Sequence, residues 1–231
     1  MKKTLLASVL LISCLVLKAQ SPSWIWAEQA TGQGNSHSQC IAADSYGNTY
    51  ILGGFCNTLQ VGNFTLPSNT CGNVYIAKYD PNGNVIWAQW LFMGEGFAIT
   101  TDLFDNVYLT GRLGNNCSIG GYSFIVQGSS DIIIVKLTPA GNVLWAEEAG
   151  GNGLGWEDGH GIITDALGDC YITGTFTDSA FFGNTILKSA GLGDYGVQWR
   201  DRGNVECGTA SEKGHCGDQR RLFRWRGECG R

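Results

Sequence analysis

Ile76-Ala77-Lys78-Tyr79-Asp80-Pro81-Asn82-Gly83-Asn84-Val85-Ile86-Trp87-Ala88 decides the fold, because it is written again as Ile134-Val135-Lys136-Leu137-Thr138-Pro139-Ala140-Gly141-Asn142-Val143-Leu144-Trp145-Ala146. A degraded third copy reads Asp201-Arg202-Gly203-Asn204-Val205-Glu206-Cys207. Recurrence at a period of roughly 60 residues marks stacked supersecondary units. Residues that recur in register serve the architecture, which argues against an enzyme built from them.

Outward from that stretch, each copy holds four short β-type runs. The first is Cys40 to Asp44, matched by Ala98 to Asp102 and Gly161 to Asp165. The second is Tyr50 to Gly53, matched by Tyr108 to Gly111 and Tyr171 to Gly174. The third and fourth are Tyr75 to Tyr79 and Val85 to Ala88, matched by Ile132 to Leu137 and Val143 to Ala146. The runs are β-branched and aromatic and are bounded by Gly, Asn, Asp and Pro, which is a strand signature. No useful length of chain shows a 3.6-residue apolar period.

The turns carry their own chemistry. Runs one and two are joined by Asp44-Ser45-Tyr46-Gly47-Asn48, Asp102-Leu103-Phe104-Asp105-Asn106 and Asp165-Ala166-Leu167-Gly168-Asp169. The leading Asp can accept backbone N–H bonds, and Gly, Asn or Asp tolerates positive φ. Runs three and four are joined around Pro81-Asn82-Gly83 and Pro139-Ala140-Gly141, where Pro presets φ and Gly takes the left-handed position. Four antiparallel strands joined in this way make a propeller blade, whose faces must be covered by the blades on either side. Trp26, Trp87 and Trp145 end the copies and suit that task, with a large apolar area and one N–H that needs a partner.

Asp44, Gly47, Asn48, Tyr50, Gly53 and Phe55, followed by Lys78, Asp80, Pro81, Gly83, Asn84 and Trp87, resemble the SBBP-type β-propeller repeat of secreted bacterial proteins. The resemblance covers residues 24 to about 207 and recurs in register. Its third copy departs from the pattern, with Trp199 for the Lys and Cys207 for the Trp. It implies a multi-bladed propeller on secreted or surface proteins and brings no catalytic residues. The Pro-x-Gly-to-Trp stretch is also similar to the tryptophan-docking repeat of quinoprotein dehydrogenases, but no quinone site or calcium ligands accompany it.

The expected fold is therefore all-β: a partial, open propeller of four-stranded antiparallel blades. Residues 1–20 read as a signal peptide, with Lys2 and Lys3 before the apolar run Leu5 to Leu17. Leu11-Ile12-Ser13-Cys14 leaves a lipoprotein signal open. Residues 21–198 hold about three repeats, the first and last incomplete. The start, Trp24-Ile25-Trp26-Ala27-Glu28, matches run four, so the first three strands of its blade are missing upstream. Residues 199–231 form a degraded repeat or aberrant tail holding seven of the eight arginines, and a reading-frame shift would explain it. Fewer than the four blades of a closed ring leave edges exposed, so oligomerisation or poor solubility is expected.

Between 21 and 198 there are four basic residues (Lys78, Arg112, Lys136, Lys188) and fifteen acidic ones, which disfavours nucleic acid. No run is long enough to span a membrane once Leu5 to Leu17 is set aside. Glu147-Glu148 and Glu157-Asp158, with His160 nearby, are the clustered carboxylates, and they read as a solvated loop entering run one. The Asp turns at Asp44, Asp102 and Asp165 offer two or three oxygens each, short of the six to eight that calcium takes. Neither His37, His160 nor His215 has metal-ligand spacing. No catalytic, metal or cofactor residue is expected. Cys56 and Cys71 are the expected disulfide, closing a loop of about 15 residues worth about 3 kcal/mol. Cys40 and Cys170 read as small buried hydrophobes. The expected role is a non-enzymatic, exported interaction or adhesion module. It binds a protein or glycan through blade-end loops such as Cys56 to Cys71 and Leu113 to Gln127, and belongs to a longer protein. The alternatives are a glycan-active enzyme or a truncated product without function of its own.

Overall fold

The structure is a computed structural model that describes residues 23–153, 155–189, 195–202 and 222–226, the last two segments as backbone. The expected signal peptide (1–20) lies outside the described residues, as does most of the tail. The described chain is all strand and turn. In chain order the strands are β1 (Ala30–Gly32), β2 (Ser36–Ala43), β3 (Thr49–Phe55), β4 (Leu59–Val61), β5 (Phe64–Leu66), β6 (Asn73–Tyr79), β7 (Val85–Thr101), β8 (Val107–Leu113), β9 (Cys117–Ile119), β10 (Tyr122–Phe124), β11 (Asp131–Leu137), β12 (Val143–Ala149), β13 (Asp158–Thr164), β14 (Asp169–Phe176), β15 (Ser179–Phe182), β16 (Thr185–Lys188), β17 (Tyr195–Arg202) and β18 (Leu222–Arg226).

The four-run copies become four-stranded antiparallel units. The first is β2-β3-β6 plus the front of β7, and the second is the back of β7 plus β8-β11-β12. The fourth run of one unit and the first run of the next are thus one continuous strand. Val85 to Met93 pairs with β6, and Gly94 to Thr101 pairs with β8. The change of partner falls at Gly94, whose φ of 154° and close approach to the Arg112 carbonyl leave no room for a side chain. In the third unit β13, β14 and β17 are antiparallel, and β18 lies parallel on β17. The long connections between the second and third strands of each unit each hold a small hairpin, β4-β5, β9-β10 and β15-β16. Each turns at the glycine of a Val61-Gly62, Ile119-Gly120 or Phe182-Gly183 pair.

The core lies between units. Leu52, Ile76 and Phe92 of the first pack with Leu109, Ile133 and Val135 of the second. Ile132 and Ile134 point to the opposite face of β11, where they meet Cys170, Ile172 and Phe176 of the third. A third cluster joins Phe55, Tyr75 and Tyr79 to the β4-β5 hairpin and Ala30. A strand buried on both faces is apolar without alternation, which explains Ile132-Ile133-Ile134-Val135. Each fully buried side chain of this size contributes about 1.5–3 kcal/mol. Polar contacts repeat with the same period: Thr101 Oγ1 donates to Ala43 O at 2.7 Å, and Thr164 Oγ1 donates to Thr101 O at 2.9 Å.

Candidate functional site

The recurring residues are spent on turns and docking. Asp44 Oδ1 accepts from the backbone N–H of Tyr46 and Asn48, and its Oδ2 accepts from Asn48 Nδ2, Tyr50 Oη and Lys78 Nζ. Asp102 repeats the set with Phe104, Asn106, Tyr108 and Lys136. Asp165 holds Leu167, Asp169 and Tyr171. Burial pushes the Asp44 carboxyl up, but the bonds from Asn48 and the Lys78 ammonium outweigh it and hold it below the usual carboxylate range. Asp102 is lowered in the same way, against its burial, by Asn106, Phe104 and Lys136. These oxygens are committed to the turn. Among the described residues no three His, Cys, Asp or Glu side chains are grouped to hold a metal ion.

The tryptophans reach the next unit. Trp26 donates its indole N–H to Pro81 O at 3.1 Å, and Trp87 donates to Pro139 O at 3.2 Å. A Cβ on Gly83 would sit 2.9 Å from the Trp26 ring, and one on Gly141 3.3 Å from Trp87. Both glycines have φ of 88°, so they give the ring a flat seat and close the hairpin turn at once. Lys78 Nζ also donates to Pro139 O at 3.3 Å. The turn that would receive Trp145, around Gly203, lies outside the described residues. Cys56 and Cys71 form a disulfide that joins the end of β3 to the entry of β6. Cys170 is fully buried and Cys40 half-buried.

The clustered carboxylates are not a solvated loop. Glu147 and Glu148 lie on β12, Asp158 and His160 on β13, and Glu157 is 1% exposed. The physical reason is the junction between units two and three, which folds the 150–157 connection onto the start of β11. Glu157 Oε2 accepts from Gly151 N at 2.8 Å, and Glu157 N donates to Ser130 Oγ at 3.0 Å. Asp131, equally buried, accepts from Gln127 N at 2.9 Å and lies against Gly150 beside Glu157. Asp131 Oδ1 and Glu157 Oε1 accept no hydrogen bond among the described residues. Burial raises the Glu157 carboxyl to about 8, helped by the charges of Asp131 and Asp158 against the Gly151 bond. Burial likewise raises Glu148 to about 7, with Asp131 and Glu147 adding to it.

Four side chains that do not recur between the repeats, Phe97, Arg112, Trp156 and His160, meet at one rim. The first strand of every unit carries a β-bulge at the same place, leaving Gln39, Phe97 and His160 without a cross-strand partner. Bulges re-aim side chains and concentrate at rims and sites. Each bulge drives a carbonyl, of His37, Glu95 or Asp158, against Gly53, Gly111 or Gly174, so the recurring glycine of run two is a steric requirement. Phe97 and His160 face each other across the unit boundary with ring centroids 5.4 Å apart. Arg112 bridges that boundary, 2.8 Å from Glu95 and 3.3 Å from Asp158, and its guanidinium stacks 3.9 Å from the Trp156 ring, which is 59% exposed. The arrangement offers flat aromatic faces beside carboxylate acceptors, a surface for stacking and hydrogen bonding. Sequence reasoning missed Arg112 and Trp156. The signal was there: Arg112 is one of four basic residues in a 178-residue acidic body, and its counterparts in the other copies are Gly54 and Thr175.

No helix of the described residues is long and apolar enough to cross a membrane. No known family's sequence profile matches the chain. The chain is 29% identical over 160 residues to an uncharacterized WD repeat-containing protein of Acanthamoeba polyphaga mimivirus. The match takes in 60% of this chain and 11% of that protein, so the chain spans about a tenth of its relative. That distant likeness and the all-β antiparallel units together suggest a β-propeller-type repeat protein.

Proposed function

We propose that the chain is a non-enzymatic interaction or adhesion module: an open arc of SBBP-type propeller blades, exported from a bacterial cell and part of a longer protein. Its partner is a protein or glycan. One observation carries the reading: the recurring Asp, Gly and Trp positions are engaged in turns and docking, while four residues that do not recur, Phe97, Arg112, Trp156 and His160, meet at one rim. The WD repeat relative is consistent with an interaction role. The N-terminal sequence supports export. Binding is favoured over turnover because Glu157, whose carboxyl burial raises to about 8, is 1% exposed and out of reach of a substrate.

The test is binding of the full chain to peptide and glycan arrays, with hydrolysis of the bound glycans followed in parallel. Arg112→Ala and Trp156→Ala should each weaken the captured partner roughly tenfold, about 1.4 kcal/mol, without product formation. Turnover that is lost in Glu157→Gln would make the protein an enzyme instead.

A further inference from the structure

Two buried carboxyl groups meet where the second unit joins the third. Asp131 and Glu157 are each 1% exposed. Both reach the space in which Gly150 would carry a Cβ: Glu157 Oε2 lies 2.8 Å from that point, and Asp131 Oδ1 is closer still. One oxygen of each is spent, Glu157 Oε2 on Gly151 N and Asp131 Oδ2 on Gln127 N. The other two, Asp131 Oδ1 and Glu157 Oε1, are buried and accept no hydrogen bond among the described residues. Nor does either group form an ion pair there: Lys78 and Lys136 are held by Asp44 and Asp102, and Arg112 by Glu95 and Asp158. Further acceptors come onto the same turn. A Cβ on Gly128 would touch the carbonyl oxygen of Gly153 and lie 2.9 Å from that of Gly151.

The pair is particular to this junction. At the corresponding places the preceding junction has Asn73 and Gly94. The Asn73 amide is also buried, but it donates to Phe55 O at 3.2 Å and Thr70 O at 2.8 Å and so satisfies itself. A carboxylate in its place cannot donate, and a second carboxylate beside it doubles the charge. Buried charge needs a partner of opposite sign. Water would supply donors but no charge.

We propose that this pocket binds a divalent cation of the calcium type, held by Asp131 Oδ1 and Glu157 Oε1. The donors are all oxygens, which suit a hard cation rather than zinc. Two carboxylates fall short of the six to eight oxygens that calcium takes, so main-chain carbonyls and water complete the shell. The connection Gly150-Gly151-Asn152-Gly153 brings carbonyls with little side-chain bulk. The inference goes beyond the binding rim and does not depend on it.

Calorimetric titration of the chelator-treated full chain with calcium tests it. At about pH 8.5 one calcium should bind per chain, with a Kd of about 10⁻⁴–10⁻³ M for so few charged ligands. Calcium at about 10 mM should raise the melting temperature by roughly 3 °C or more. Asp131→Asn and Glu157→Gln should each weaken binding at least roughly tenfold and abolish the thermal shift, with unchanged far-ultraviolet spectra. Asp80→Asn, in a turn of the first unit, should bind as wild type. Protons compete for the same oxygens, since burial raises both Asp131 and Glu157, the latter to about 8. Glu147, Glu148 and Asp158 add negative charge around them, and Arg112 is engaged with Asp158. Calcium should therefore bind roughly fivefold more weakly, or worse, at about pH 6. A wild type that binds no calcium, binding that both pocket variants keep, or an affinity equal at the two pH values would each overturn the proposal.

Discussion

Trp87 donates its indole N–H to the carbonyl oxygen of Pro139, 52 residues further on, at 3.2 Å. Its ring rests on Gly141 of the same turn. Trp26 and Pro81 repeat the contact one unit earlier at 3.1 Å. A hydrogen bond between the end of one repeat and the turn of the next ties the sequence period to the stacking of units.

Trp87→Ala should destabilise the chain by about 3 kcal/mol, because it empties a ring-sized seat and leaves the Pro139 carbonyl with Lys78 as its remaining donor. Chemical denaturation monitored by the remaining tryptophans measures it. A loss under roughly 0.5 kcal/mol would mean that the contact is incidental.

Lys78 and Asp44 form a buried pair at 3.3 Å, their side chains 9% and 1% exposed. Lys78→Ala strands Asp44 and should cost about 3 kcal/mol, whereas Lys78→Ala combined with Asp44→Asn should cost less than the sum of the two. Full additivity in equilibrium unfolding would contradict the pairing.

The period, the four runs, the Asp turns and the Pro-Gly turns were legible because each depends on a short stretch read against its own copies, whereas which glycine each tryptophan meets is set by the stacking of units. The continuous β7 was not legible. Whether Met93 and Gly94 break or carry on a strand is decided by partners on β6 and β8, far apart in sequence. Glu157 misled for the same reason. An acidic residue in a glycine-rich connection reads as solvated, and only the packing of 150–157 against Ser130 and Asp131 buries it. Arg112 pairs with residues from two different units, a relation that no local pattern encodes.

The buried carboxyls set a pH dependence. Glu157 and Glu148 are raised to about 8 and about 7 from 4.5, so the folded chain holds their protons longer than the unfolded chain does. Their contribution is fully present below pH 4.5 and is lost as pH rises toward 8. Asp131, Glu147 and Asp158 surround them, and Arg112 is engaged with Asp158 and Glu95. Asp44 and Asp102 act in the opposite sense, since their lowered carboxyls add stability above their unfolded value of 3.8 that is lost below it. Thermal unfolding should therefore show a stability maximum at about pH 4 to 4.5, with a fall of roughly 2–4 kcal/mol by about pH 8.5. Glu157→Gln should flatten the alkaline limb. An alkaline limb unchanged in that variant would contradict the assignment.

Reducing the Cys56–Cys71 disulfide should cost about 3 kcal/mol by the loop-entropy relation for a separation of 15 residues. Unfolding with and without reductant, repeated in Cys56→Ser, checks it. Cys56→Ser should lose its sensitivity to reductant; a variant still destabilised by reductant would place the labile disulfide elsewhere.

Docking of successive repeats through the tryptophan of one and the turn glycine of the next is measured by a double-mutant cycle. Trp87→Phe removes the indole N–H, and Gly141→Ala places a methyl 3.3 Å from the ring at a φ of 88°. The account predicts non-additive unfolding free energies, with a coupling of about 1 kcal/mol or more between residues 54 positions apart. Additivity within about 0.3 kcal/mol would show that the two residues do not meet, and would contradict it.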